Sequence, residues 1–173
     1  MNEYGKKRNY VKKIYIAGPD VFEANSIKIG KELVFLCEKY GYEGLYPLDN
    51  VVDFSQSKHK IAQDIFVANI KMIQKADIVI ANLNPFRGKE ADSGTVWECG
   101  YAYGLDKEVY GYMKETKEYI DNFTDDEKFA REGYFVDDKE RLIEDFAHPV
   151  NLMIACSVKE IVKGDFEDVL KRL

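Results

Sequence analysis

DIVIANLNPFRGKEADSGTVWECGYAYG, residues 77–104, holds a complete strand, loop and helix, and its reading decides the fold. Ile78, Val79 and Ile80 run apolar without alternating with polar residues, and Asn-Pro closes the run. A strand written this way is buried on both faces, as in a parallel sheet covered by helices. A polar loop follows, and then a segment of small, apolar and aromatic residues that predicts a helix over 93–105.

The same alternation extends in both directions. KKIYIAGP (12–19) is a short apolar strand ending in Gly-Pro, and NSIKIGKELVFLCEKYG (25–41) is a helix capped by Asn25 or Ser26 and stopped by Gly41. YEGLYPLDN (42–50) is a second short strand running into a loop. KHKIAQDIFVANIKMIQKA (58–76) places Ile61, Ile65, Ala68 and Met72 on one helical face. KEVYGYM (107–113) is a fourth strand, PVNLMIACS (149–157) a short helix with Pro149 in its first turn, VKEIV (158–162) a last strand and DFEDVLKRL (165–173) a terminal helix. Residues 114–147 are dense in charge and aromatics without a clean period; they read as an insertion or lid-like excursion with a short helix. The expectation is one α/β domain over residues 1–173, with about five mostly parallel strands and helices on both faces.

Composition narrows the function. The chain has 173 residues, a net charge of -6 and 46% hydrophobic residues, so it reads as a globular domain. No basic cluster is interleaved with aromatics, which argues against a nucleic-acid partner. The basic opening MNEYGKKRNYVKK has no apolar segment behind it and is not read as a secretory signal. No apolar run approaches the ~20 residues that span a bilayer. Cys37, Cys99 and Cys156 are scattered among apolar neighbours, as small thiols of a reducing cytoplasm are. Two distant histidines, with no CxxC or HxxxH, give no metal site.

In a parallel sheet ligands bind beyond the carboxyl ends of the strands. The loops to inspect are therefore AGPDVF with Gly18 and Phe22, PLDN with Asp49, and NPFRGKEADSGT. Neither GxGxxG nor GxxxxGK[ST] occurs. Acids are the stronger feature, and each has a structural alternative. Thr95-x-x-Glu98 fits a capping box, in which Glu98 only satisfies a backbone N–H. If Asp92 is instead the cap, Glu98 lies in the second turn beside Trp97 and faces packed surface or a pocket; spacing leaves both open. Asp92 is an ordinary cap candidate, Asp77 an ordinary residue at the start of a strand, Tyr15 an ordinary core tyrosine, Asn151 an ordinary helix start and Arg87 an ordinary solvated loop charge.

KIYIAGPDVF, YPLDN, ADIVIANLNPFRG, ADSGTVWECGYAYG, EVYGY and HPVNLM, in this order over about residues 12–153, resemble the nucleoside 2-deoxyribosyltransferase family. The resemblance implies a flavodoxin-like doubly wound fold. It also implies homo-oligomers, dimer-based or larger up to tetramers and hexamers, in which one subunit completes its neighbour's site. It makes Glu98 the nucleophile on the anomeric carbon of a 2'-deoxynucleoside, Asp92 a second site carboxylate, and Asp77 the acid associated with the nucleobase. Tyr15 orients the nucleophile, and Asn151, with Met153 beside it, reaches a sugar hydroxyl across the interface. The chemistry fits: a carboxylate below the ring traps an oxocarbenium-like sugar, and a second base releases it with retained configuration. Phe22 or Trp97 packed near C2' would disfavour ribose, and no metal or organic cofactor is required. The partners implied are 2'-deoxynucleosides and free nucleobases, with no nucleic acid and no membrane.

Two rival readings remain at this stage. One is a 2'-deoxynucleoside 5'-monophosphate N-glycosidase with the same nucleophile, in which water takes the sugar and Ser93 and Thr95 serve the phosphate. The other is a non-catalytic nucleotide-binding module on the same fold.

Overall fold

The computed structural model describes residues 10–50 and 52–173, so the basic opening up to residue 9 lies outside the described residues. Five strands form one parallel sheet: β1 (Lys13–Ala17), β2 (Glu43–Leu45), β3 (Ile78–Asn82), β4 (Glu108–Met113) and, last along the chain, β7 (Glu160–Lys163), in the order β2-β1-β3-β4-β7. Every neighbouring pair in this sheet is parallel, which sharpens the expectation of a mostly parallel one.

The strands sort their side chains by parity. Tyr15 and Ala17 of β1 and Val79 and Ala81 of β3 enter one apolar cluster. Its helices are α2 (Lys58–Lys75), α3 (Ser93–Gly104) and the single turn α4 (Leu152–Ala155). Ile14, Ile16, Ile78 and Ile80 enter the opposite cluster with α1 (Ser26–Lys39) and α5 (Phe166–Leu170). Successive residues of a strand point to opposite faces, so the continuous apolar runs are what a sheet covered on both sides requires.

The strand order reverses between β1 and β3, and the loops after these two strands open a crevice at the sheet's carboxyl edge. One side is the 3₁₀ turn Pro19–Phe22; the other is the loop over 83–92. Gly18 opens the first loop with extended backbone, so its need is space: a Cβ there would lie 2.5 Å from Asp20 Oδ2 and 2.9 Å from Asn82 Cβ.

Residues 114–147 contain a 3₁₀ turn (Tyr119–Asn122) and an antiparallel hairpin of β5 (Phe129–Arg131) and β6 (Tyr134–Val136). The hairpin was not expected; Gly133, with φ 83, makes its turn. The segment is tied to the loop after β3. Lys89 Nζ donates to Asn122 O and Glu127 Oε2, each at 2.7 Å, and Tyr119 OH donates to Glu90. No described helix is long and apolar enough to cross a membrane.

Candidate active site

Helix α3 begins where the sequence left two choices. Asp92 is its cap: Oδ2 accepts from Thr95 N at 2.9 Å and from Thr95 Oγ1 at 3.0 Å. The Thr95–Glu98 capping box is thereby excluded, and Glu98 falls in the second turn. Thr95, Cys99 and Ala102 are the buried stripe that faces the sheet, and Glu98 lies along its edge, three residues from Thr95.

What meets Glu98 there is Tyr15. The parity of β1 points this fully buried residue at α3, and its hydroxyl donates to Glu98 Oε1 at 2.6 Å. Burial of the phenol, and then the Glu98 charge, push the Tyr15 pKa upward, so it stays protonated and acts as donor. Burial also pushes the Glu98 carboxyl up, to about 7, and the Asp92 charge acts in the same direction. The Tyr15 hydroxyl and the Asn69 amide oppose them by favouring the charged form.

Glu98 opens on a cavity of about 490 Å³ at the crevice. Its polar wall is Asn50, Asn69, Asp92, Thr95 and Glu98; its apolar wall includes Phe22, Ile27, Leu48, Phe54 and Ile65. Among the described residues that line it, none is Lys, Arg or His. A second cavity of about 340 Å³, bounded by Phe66 and Trp97, shares Asn69, Gly94 and Glu98 with the first. Asn69 belongs on the α2 face that carries buried Ile73 four residues on, and it is oriented by Asn50, whose Nδ2 approaches its Oδ1 at 3.4 Å. Sequence reading missed both amides. A lone Asn on an amphipathic helix looks like its solvent face, and only the crossing of α2 over the crevice shows otherwise.

Of the residues singled out in the sequence, Glu98, Asp92, Tyr15, Gly18 and Phe22 come together here. Asp77 does not. It sits at the amino edge of β3, where Oδ2 accepts from Lys13 N at 2.8 Å and both oxygens accept from Tyr10 OH. The strands are parallel, so this edge is the far side of the sheet from the crevice, and the nucleobase role for Asp77 is corrected to a structural one. Asp49 turns back to its own 3₁₀ turn, accepting from Tyr46 N at 3.3 Å, and does not line the cavity. Trp97 is half exposed, stacked on Tyr101 and tilted against Phe66, and belongs to the second cavity rather than the main one.

Asn151 and Met153 also lie outside the main cavity of their own chain. Asn151 caps α4, with Oδ1 accepting from Met153 N at 3.0 Å and Nδ2 donating to Glu144 Oε1 at 2.5 Å; Leu152 N donates to the other Glu144 oxygen at 2.9 Å. Met153 is 73% exposed. Among the described residues no cluster of His, Cys, Asp and Glu is arranged to hold a metal.

Residues 14–153 match the sequence profile described as nucleoside 2-deoxyribosyltransferase. The chain belongs to this family. A 2-deoxyribosyltransferase of Leishmania mexicana is similar in structure, with a TM-score of 0.72 and 30% identity over 92% of this chain and 97% of that one. A 2-deoxyribosyltransferase of Bacillus psychrosaccharolyticus, at TM-score 0.58 and 23% identity over 91% and 90% of the two chains, shares the fold. An uncharacterised Schizosaccharomyces pombe protein is 28% identical over 109 residues, which are 61% of this chain and 52% of that protein; the chain thus matches about half the length of this curated relative. The central sheet of five parallel strands with helices around it matches the deoxyribosyltransferase fold.

Proposed function

We propose that the protein transfers 2-deoxyribose between nucleobases by a retaining double displacement through a covalent deoxyribosyl ester of Glu98. The observation that carries this reading is the Glu98 carboxylate itself, buried at the cavity wall and held by Tyr15 OH at 2.6 Å rather than spent on a helix cap. A carboxylate fixed beside a largely apolar cavity is suited to attack an electron-poor anomeric carbon.

In the first half, a Glu98 oxygen bonds to C1' from the face opposite the base. The base leaves with the electron pair of the N-glycosidic bond and is protonated by water at the cavity mouth. In the second half, an incoming base nitrogen attacks C1' and passes its N–H proton to water at the cavity mouth, the ester bond breaks and the carboxylate is regenerated. Both Thr95 hydrogen bonds use Asp92 Oδ2, which leaves Oδ1 to hold a sugar hydroxyl. The apolar lining offers a ribose 2'-hydroxyl no partner, which disfavours ribose. Thr95 Oγ1 donates to Asp92 Oδ2 and Ser93 does not line the cavity, so the two hydroxyls that a monophosphate N-glycosidase would use are not turned to a phosphate; this favours the transferase.

Asn151 and exposed Met153 serve a neighbouring subunit's cavity in this reading, which makes the working unit a homo-oligomer. The test is intact-mass and peptide analysis after brief incubation with 2'-deoxyinosine. A deoxyribosyl adduct on the peptide containing Glu98, with deoxyadenosine forming only when adenine is added, is expected. Steady release of free deoxyribose regardless of acceptor, or turnover of monophosphates alone, overturns the transfer reading.

A further inference from the structure

The loop between β3 and α3 carries a cation that the reaction above does not use. Arg87 has φ 54, a left-handed setting disfavoured for a residue with a Cβ and often retained at functional sites. The guanidinium is held over two aromatic rings, its Cζ 5.2 Å from the Phe22 centroid and 4.7 Å from that of Phe86. The two rings stack on each other at 5.5 Å and 15°. Phe22 is at the same time a wall of the Glu98 cavity.

Three other cations of the loop and of the adjoining segment, Lys89, Arg131 and Arg141, each pair with a carboxylate. Among the described residues Arg87 pairs with none, so its planar fork of N–H donors is free. The loop beneath it is fixed, with Phe86 N donating to Glu90 O at 2.8 Å.

The cavity lining carries two kinds of chemistry. Glu98 and Asp92 mark where the sugar and its anomeric carbon lie. The apolar side chains Phe22, Ile27, Leu48, Phe54 and Ile65 line the remainder of the cavity and suit a base. Hydrogen-bond acceptors on the edge of a base lodged there find no donor in those side chains, and unpaired acceptors cost affinity. Arg87 is not itself among the lining residues, but its guanidinium lies over the ring of Phe22, which is.

We propose that Arg87 reads the edge of the nucleobase and biases the transferase toward bases with two adjacent acceptors, such as O6 and N7 of a 6-oxopurine. The guanidinium fork matches that pair in a bidentate bond, whereas the amino group of adenine points donors at donors. The inference rests on the transfer reading above.

The experiment measures exchange of labelled hypoxanthine into 2'-deoxyinosine and of labelled adenine into 2'-deoxyadenosine, using the full chain, Arg87→Gln and Arg87→Lys. Wild type is expected to favour the hypoxanthine pair by about tenfold or more, and both variants to bring the ratio within about twofold. Equal rates for the two pairs in wild type overturn the proposal. So does a preference kept by Arg87→Lys, which would mean that charge alone suffices. A loss confined to 2'-deoxynucleoside 5'-monophosphates also overturns it, because the cation then serves a phosphate. Absence of exchange with every base is a failure of the transfer reading instead. In that case equilibrium binding of the two nucleosides decides: tighter binding of 2'-deoxyinosine that Arg87→Gln abolishes supports the proposal, and equal affinity in wild type overturns it.

Discussion

Replacing Glu98 by Gln should stabilise the protein, and by an amount that depends on pH. Burial, reinforced by Asp92, raises the Glu98 carboxyl from 4.5 to about 7. The folded state therefore holds a proton that the unfolded chain releases between these two values, and stability falls as pH rises through the window. Below about pH 4.5 both states are protonated and nothing is lost. Above about pH 7 the full cost of ionising the buried group is present, on the order of 3 kcal/mol at 1.36 kcal/mol per pH unit. Gln is neutral throughout and still accepts from Tyr15 OH through its carbonyl. The variant should melt close to wild type at pH 4.5 and roughly 6 to 12 °C above it at pH 8, with about 2–4 °C per kcal/mol for a chain of this size. Base exchange should fall on the order of a thousandfold or more. The assay is thermal unfolding of both proteins across pH 4.5 to 8.5, beside base-exchange rates. A melting difference that does not change with pH would refute the claim that Glu98 is a carboxylate held ionised against its environment.

Three further outcomes follow from the same geometry. Tyr15→Phe removes the donor that favours the carboxylate, so the acid limb of kcat/KM, centred near pH 7 in wild type, should move up by about 1 to 2 pH units; a pH–rate profile reads this directly. Asp92→Asn keeps an N-capping side chain but removes the neighbouring charge, so the limb should move down while KM for the nucleoside rises, with little change in melting temperature. Asp77→Asn weakens the bonds to Tyr10 and Lys13 at the far edge of the sheet; urea unfolding should show a loss of about 1 kcal/mol, and exchange rates should stay within about twofold of wild type.

The backbone of the fold was legible because its strands are written in unbroken apolar runs, which have few other uses in a chain of this polarity. IYIA and IVIA state both their secondary structure and their burial on two faces. The site was legible in part. Asp92 and Glu98 stand out by position, but spacing could not decide which side chain caps α3; the Asp92 bonds to Thr95 decide it, and the partner of Glu98 is Tyr15, 83 residues earlier and brought beside it only by the parity of β1. Asp77 received its nucleobase role from the family resemblance, whereas strand direction alone speaks against it, since a residue that opens a parallel strand lies away from the ligand edge. Asn50 and Asn69 carry no local signal, because an amide is equally at home on a solvent face. The β5–β6 hairpin has three residues per strand, too few for a period to be read.

Tyr15 belongs to the middle of a rigid sheet, while its partner carboxylate rides on a helix, and this pairing has a consequence for the order of events. On the proposed route, ester formation removes the charge on Glu98. The desolvation that opposes its ionised form and the repulsion from Asp92 vanish together as the sugar bonds. The loaded enzyme is thus relieved relative to the empty, ionised one, and relief of that kind favours a state that waits. The Tyr15 hydroxyl, no longer facing a full negative charge, holds the carbonyl of the ester in place until a base nitrogen arrives. Persistence of the loaded state, rather than speed of loading, is what lets a transferase choose an acceptor.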